Sequence, residues 1–273
     1  MTDFPIRKLR THEEFEQVRR IQKIIWQHSE IELTSTHQYL LFLRTGAILL
    51  GAFDGERIVG FVFSFPAVFP GRSAQHSRQL AVLPEYRSRG IGKKLKWAQR
   101  REAGRMGFEW VTWTADPLLA RNADLNFHTL GAWARTYLTD YYAALPNLAL
   151  APGLATDRLL IEWPLHSPEV ACRKRGRFPL RCPDRMEKAV EVRRVADRLV
   201  PRYRSPGGTD GALLIEVPGQ LTEITKDPDL VSQWQVVIRR AFRACFKRGF
   251  AVTDFVSAGT GCYILEKITG KSE

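Results

Sequence analysis

Between Leu80 and Leu95 the chain reads Leu-Ala-Val-Leu-Pro-Glu-Tyr-Arg-Ser-Arg-Gly-Ile-Gly-Lys-Lys-Leu, and no other stretch restricts the fold as much. An apolar strand is stopped by Pro84, and Gly90 and Gly92 fall at the first turn of the helix that follows. The first N–H groups of a helix have no partner inside it. Aligned peptide dipoles add partial positive charge there, so an anion is favoured. Glycines lack the Cβ that would hold a ligand away from the backbone. Arg87, Arg89 and Lys93 supply charge-assisted hydrogen bonds, and Ser88 and Ile91 complete the loop. The segment 87–93 is built for a diphosphate. It has neither the Gly-Lys-Ser/Thr of a mononucleotide loop nor the GxGxxG of a dinucleotide fold.

Periodicity places elements around this loop. A short strand at Ile6–Arg10 leads to Thr11, a helix cap with Glu14 three residues on. The helix is expected to run to about His28, with Phe15, Val18, Ile21, Ile24 and Ile25 on one face. A short segment at Tyr39–Leu43 follows. Ala47–Phe53 and Arg57–Phe65 form a hairpin about the turn pair Asp54-Gly55. After a Pro/Gly loop at 66–72, Gln75–Leu83 is a strand. Ile91–Met106 is a helix closed by Gly107, and Phe108–Thr114 is a strand. A helix over 118–130 ends at Gly131; Trp133–Tyr142 and Asp157–Trp163 are strands. Beyond a Pro- and Arg-rich stretch at 166–210, Ala212–Val217 is a strand and Asp229–Arg248 an amphipathic helix. Its inward residues are Leu230, Trp234, Val237, Ile238, Ala241 and Cys245, and Ala251–Val256 with Cys262–Leu265 closes the chain as a hairpin.

Composition narrows the function classes. With 44% hydrophobic and 26% charged residues, 273 residues can bury a sizeable core. No apolar run approaches the ~20 residues of a membrane span, and the start Met1-Thr2-Asp3-Phe4-Pro5 is unlike a signal peptide. Cys172, Cys182, Cys245 and Cys262 form no CxxC pair, which suggests free thiols in a cytoplasmic protein and no metal. Of the net charge of +12, most is local: residues 172–204 hold twelve Lys/Arg against four Asp/Glu. That stretch suits nucleic acid, an acidic partner, cofactor phosphates or a solvated connector. No base-reading motif or aromatic interleaving supports nucleic acid.

The pattern R-x-x-G-x-G after strand-Pro-x-Tyr resembles the signature of the GNAT superfamily of N-acetyltransferases. The order around it is similar too: hairpin, strand, motif, helix, Gly-Phe, strand, helix, Gly-Ala, strand, over roughly residues 5–164. The resemblance implies an α/β fold with a mixed sheet and splayed central strands, plus a smaller C-terminal α+β unit. Residues 1–165 would be the acyl-CoA-binding catalytic domain, 166–210 a basic connector and 211–273 the extension. The donor would be acetyl-CoA or another acyl-CoA. Its diphosphate would sit on Arg87–Lys93, and its pantetheine arm would lie along Ala81, Val82 and Leu83, with a backbone N–H of that strand polarising the thioester.

The family's usual general acid, a Tyr four residues before the Gly that ends the second helix, falls on Phe127, which has no hydroxyl. Asn126 could instead hydrogen-bond the arm, and Tyr137, Tyr141 and Tyr142 are substitute donors. For the base, His76 at the start of the strand leading to the motif is the first candidate and Glu162 an alternative that could equally face solvent. Asp116 is expected to cap a helix. The segments TWTADPLLARNADLNFHTLGA, DRLLIEWP and LLIEVPG resemble a long bacterial subgroup, a kinship that implies acylation of amino acids, including succinyl transfer. The expected activity is acetyl or succinyl transfer to a small primary amine, with a non-catalytic acyl-CoA-binding module as the alternative. Expected partners are the acyl-CoA, the amine and a second copy of the chain, without membrane or nucleic acid.

Overall fold

The computed structural model describes residues 3–27, 29–69, 72–143, 154–205, 207 and 211–268. Their contacts form two compact units: Met1–Trp113 with Pro164–His166, and Thr114–Trp163 with Ser167–Glu273. Each mixes helices with strands. Expectations that fall on residues 1–2, 28, 70–71, 144–153, 206, 208–210 and 269–273 lie outside the described residues.

In the first unit β1 (Ile6–Lys8), β2 (Ile48–Asp54), β3 (Arg57–Phe69), β4 (Arg72–Val82) and the start of β5 (Trp110–Ala115) neighbour one another in that order. β1 to β4 pair antiparallel, and β4 pairs with β5 in parallel. α1 (His12–Trp26) and α2 (Thr36–Arg44) precede the hairpin, while α3 (Ile91–Arg105) makes the crossover that a parallel pair requires. α1 starts at the expected box: Glu14 N–H donates to Thr11 Oγ1 at 3.3 Å, and Thr11 N–H donates to Glu14 Oε2 at 3.0 Å. Phe15, Val18 and Ile21 are buried against Phe61 and Phe63, a core that α2 completes with Tyr39. α3 ends at Gly107 (φ +82°), where Phe108 N–H reaches Ala103 O and Gly107 N–H reaches Gly104 O.

Several expected boundaries moved. Asp54 pairs with Arg57, so the two-residue turn is Gly55-Glu56 rather than Asp54-Gly55, with Gly55 at φ +58°. The Pro/Gly loop expected at 66–72 is mostly strand. β3 runs through Pro66 to Phe69 and pairs with β4 down to Phe69↔Arg72. Pro66 is tolerated because β2 stops pairing at Ser64, so its missing N–H faces no partner strand.

One irregularity organises β4. Phe63 pairs with Gln79 and Ser64 with Ser77, so Arg78 is an extra residue, a β-bulge. Side chains alternate along a strand, and a one-residue insertion exchanges the two faces. Beyond the bulge, Ala81 joins Phe61 in the α1 core, while Leu80 and Val82 face Gly92 of α3. Before it, Ser77 faces α3 and His76 lies among Phe65 and Phe69.

The second unit contains α4 (Ala120–Ala123), β6 (Trp133–Leu138), β7 (Arg158–Pro164), α5 (Pro168–Lys174), β8 (Glu187–Val195) and β9 (Arg198–Tyr203). β10 (Leu213–Val217), α6 (Pro228–Lys247), β11 (Phe250–Ala258) and β12 (Thr260–Lys267) follow. The strands neighbour in the order β7-β6-β11-β12-β10-β8-β9, with β8 and β10 parallel. The helix expected over 118–130 is a short α4 and a π-helical turn at Asp124–Thr129. The strand expected to reach Tyr142 ends at Leu138. α6 buries Trp234, Ile238, Ala241, Phe242 and Cys245, and Val237 is only half-buried. The stretch expected as a connector holds α5 and the β8–β9 hairpin. Much of its charge is locally paired, Arg173 and Arg181 with Asp254, Lys188 with Glu216, Arg193 and Arg204 with Glu191, and Arg198 with Asp227. Among the described residues no helix is long and apolar enough to cross a membrane.

Candidate active site

β4 and β5 pair only at Gln75↔Val111 and His76↔Thr112 among the described residues. Beyond His76 no strand among the described residues pairs with the β5-facing edge of β4, along Leu80, Ala81 and Val82. Arg78 at the bulge adds a peptide outside the β3 ladder. Ala81 and Leu83 bury their side chains in the α1 core, so they can offer only backbone to a bound molecule.

From this open edge the chain turns at Pro84–Tyr86 and enters α3. Tyr86 anchors the turn, with its hydroxyl donating to Asp54 Oδ2 at 2.7 Å and the Arg57 and Arg89 guanidinium groups 5.6 and 5.2 Å from its ring. The hydrogen bond to Asp54 and burial both push the Tyr86 hydroxyl pKa up. Arg87 Nε donates to Val82 O at 3.3 Å. Arg87, Ser88, Arg89, Gly90 and Lys93 are exposed, Ile91 is buried and Gly92 half-buried. Gly90 is the helix cap, at φ +76°, and contributes no side-chain cap; Lys94 N–H makes the first backbone bond, to Gly90 O at 3.0 Å. The N–H groups of Ile91, Gly92 and Lys93 therefore precede the helix's own ladder.

Packing does not require either glycine. A Cβ on Gly90 would meet nothing within 4 Å, and one on Gly92 would touch Leu80 Cδ2 at 3.9 Å and Val82 Cγ2 at 4.0 Å, ordinary contact. Gly90 is explained by its left-handed φ. Gly92 is not, because it lies inside the helix, where glycine costs roughly 1 kcal/mol relative to alanine. A ligand pressed against the first turn would account for it.

His76 is half-buried, and its Nδ1 lies 3.2 Å from Thr112 Oγ1. Burial lowers its pKa, with a further push from Lys96, so the imidazole is neutral near pH 7 and able to accept a proton.

The other candidates lie in the second unit. Phe127 is fully buried edge-on against Tyr263, with centroids 5.7 Å apart, so its position is apolar on both sides of that contact. Asn126 is buried in the π-turn. Tyr137 donates to Asp157 Oδ2 at 2.7 Å; burial, then Asp157, pushes its pKa far up, which holds the proton on the phenol. Tyr142 shares a hydrogen bond of 3.0 Å with Thr114 Oγ1, and Tyr141 is exposed. Glu162 does not face solvent: it is buried, with Arg135 Nε 3.1 Å away. Asp116 accepts Leu118 N–H at 2.9 Å ahead of α4 and pairs with Arg158 at 3.2 Å. Burial raises its pKa to about 6 despite that arginine.

Residues 12–131 match the sequence profile of the Acetyltransferase (GNAT) family. Among solved structures, the fold is similar to that of yncA from Salmonella typhimurium, described with its cofactor acetyl-CoA. It is 17% identical, with 61% of this chain and 96% of that one covered and a TM-score of 0.50. The GNAT acetyltransferase of Streptococcus pneumoniae is 14% identical, over 59% of this chain and 98% of its own, with a TM-score of 0.47. The ribosomal-protein-S18-alanine N-acetyltransferase of Escherichia coli is 16% identical, over 60% and 94%, with a TM-score of 0.46. No curated protein sequence matches the chain.

Sequence reasoning missed one group. Lys96 is 2% exposed, on the buried side of α3. Its signal was a lysine and a glutamine three residues apart beside the inward Leu95 and Ala98, where the helix should be apolar.

Proposed function

We propose that the protein transfers an acetyl or succinyl group from an acyl-CoA to the primary amine of a small molecule, with amino acids the first acceptors to test. The observation that carries this reading is the open edge of β4 running into a helix start whose Gly92 no packing or φ demands. The diphosphate lies on Arg87, Ser88, Arg89, Gly90, Ile91, Gly92 and Lys93, and the pantetheine arm bonds the backbone of Ala81, Val82 and Leu83. Asn126 is a further candidate for that arm. The bulge at Arg78 supplies backbone to polarise the thioester carbonyl. Neutral His76 takes the proton of the attacking amine. Tyr137 and Glu162 are better read as structural, since Asp157 and Arg135 engage them.

Calorimetry with acetyl-CoA and succinyl-CoA tests the donor, and absence of binding by both removes the proposal. Gly90→Glu should abolish binding by setting a carboxylate against the diphosphate. Thiol release across D- and L-amino acids, amines and peptides then identifies the acceptor. A second reading, a non-catalytic acyl-CoA-binding module, is favoured by the apolar setting of Phe127. Turnover of acyl-CoA with any amine of that screen eliminates it.

A further inference from the structure

The last paired residues of β4 and β5 are His76 and Thr112, so Ser77 and Trp113 are the first past the fork. One side chain touches both. Lys96 Nζ, reaching in from α3, donates to Ser77 Oγ at 3.2 Å and to Gln99 Oε1 at 2.7 Å, and lies 3.6 Å from the Trp113 ring centroid. Gln99 Nε2 donates to Ser77 Oγ at 3.0 Å, which locks the three polar groups together. Lys96 sits on the helix that carries the diphosphate loop, one turn beyond Gly92, while His76 faces the opposite side of the sheet, among Phe65 and Phe69.

We propose that Lys96 is the proton donor to the CoA thiolate, the role for which position 127 offers no hydroxyl. This inference rests on the acyl transfer proposed above. The acceptor nitrogen forms a bond to the acyl carbon and the carbon–sulfur bond breaks. The electron pair leaves on sulfur, which takes a proton from the Lys96 ammonium. His76 takes the proton that the acceptor amine gives up, and Lys96 is reprotonated from solvent as CoA departs.

The geometry suits a donor. Oxygen atoms of Ser77 and Gln99 hold the ammonium, which also lies over the Trp113 indole face, a weaker partner that a thiolate can displace. Full burial drives the lysine pKa well below its usual value. The lowered pKa makes the Lys96 ammonium a stronger acid toward the leaving thiolate than an exposed lysine would be. The groups facing Lys96 include the neutral Ser77 of β4, Gln99 of α3 and Trp113 of β5, and His76 is a titratable neighbour. From β1, Lys8 also reaches α3, but it is paired with Glu102.

The test compares wild type with Lys96→Met and Lys96→Arg. Acetyl-CoA affinity by calorimetry should stay within about threefold in both variants, while kcat falls about 100-fold or more. Arginine should fail like methionine because it keeps the charge but does not release its proton. Wild-type kcat should decline on the alkaline side, and that limb should disappear in the variants. Wild-type kcat in Lys96→Met, or an unchanged alkaline limb, overturns the proposal. Loss of acyl-CoA binding by wild type itself would instead sink the acyl-transfer reading. Should a variant not fold, the wild type alone decides: with 13Cε-lysine labelling, one lysine must titrate well below the others, and its resonance must shift on binding CoA. A Lys96 resonance that titrates with the surface lysines refutes the idea.

Discussion

Gly92 lies in a helix with no left-handed φ and room for a methyl group, so its cost to the fold is not offset by packing. Gly92→Ala should therefore stabilise the protein by about 0.5–1 kcal/mol in urea unfolding while weakening acyl-CoA binding in calorimetry. Effects of the same sign on both would argue against a ligand at the first turn. In the second unit, Asp254 is fully buried and meets His128 at 3.1 Å, Arg173 at 3.0 Å and Arg181 at 3.1 Å. Removing one member of a buried charge group leaves the rest uncompensated. Asp254→Ala should cost about 3–5 kcal/mol by urea unfolding, with acyl-CoA affinity per folded molecule retained. This cluster explains why part of the basic stretch was misleading as a sign of partners. Arg173 and Arg181 reach across to an aspartate 81 and 73 residues away, a pairing that composition alone cannot reveal.

Local rules accounted for the elements that depend on neighbours in sequence. The box at the start of α1 is one, and it carries a pH signature. Burial pushes the Glu14 carboxyl up, but the N–H groups of Arg10 and Thr11 and the Arg7 guanidinium outweigh it and hold the pKa below its usual value. A lowered carboxyl stabilises the fold fully above the unfolded value of about 4.3 and loses that contribution as pH falls through the folded value. The stability gap between wild type and Glu14→Gln, followed by melting temperature from pH 7 to pH 3, should narrow toward acid. Thr11→Ala should cost about 1 kcal/mol across the range. The diphosphate loop and the helix behind it were legible for the same local reason: glycine, proline and charge positions speak to adjacent backbone. The bulge at Arg78, the strand course of Pro66 and the burial of Lys96 and Glu162 were not. Each is set by which strand or helix packs alongside, and hydrophobic spacing is silent on that.

At the level of the whole chain, the residues beyond 205 complete a core rather than append to one. Phe242, Phe255 and Tyr263 are fully buried, Tyr263 packs on Phe127, Phe242 stacks on Tyr137 at 5.9 Å, and β11 pairs with β6 through Val252↔Ala134. A chain ended after Pro164 would bare that strand edge and the apolar ring of Phe127. It should elute as aggregate in size-exclusion chromatography where the full chain does not. A soluble, folded fragment with full acyl-CoA affinity would contradict this. Tyr263, on which Phe127 packs, donates its own hydroxyl to Pro117 O at 2.8 Å.

The extra residue in β4 carries a consequence for how such a sequence can drift. Arg78 is exposed and donates to Thr34 Oγ1 at 3.2 Å, a single bond whose loss the fold should tolerate. Loss of the residue itself is another matter: deleting it would join Ser77 to Gln79 in a regular ladder with β3, keeping the same faces but removing the extra peptide at the open edge. Descendants of this chain are therefore expected to vary in letter at 78 but to keep the count of residues between His76 and Pro84. At this position selection acts on length, and an insertion or deletion would be as damaging as the loss of a catalytic group.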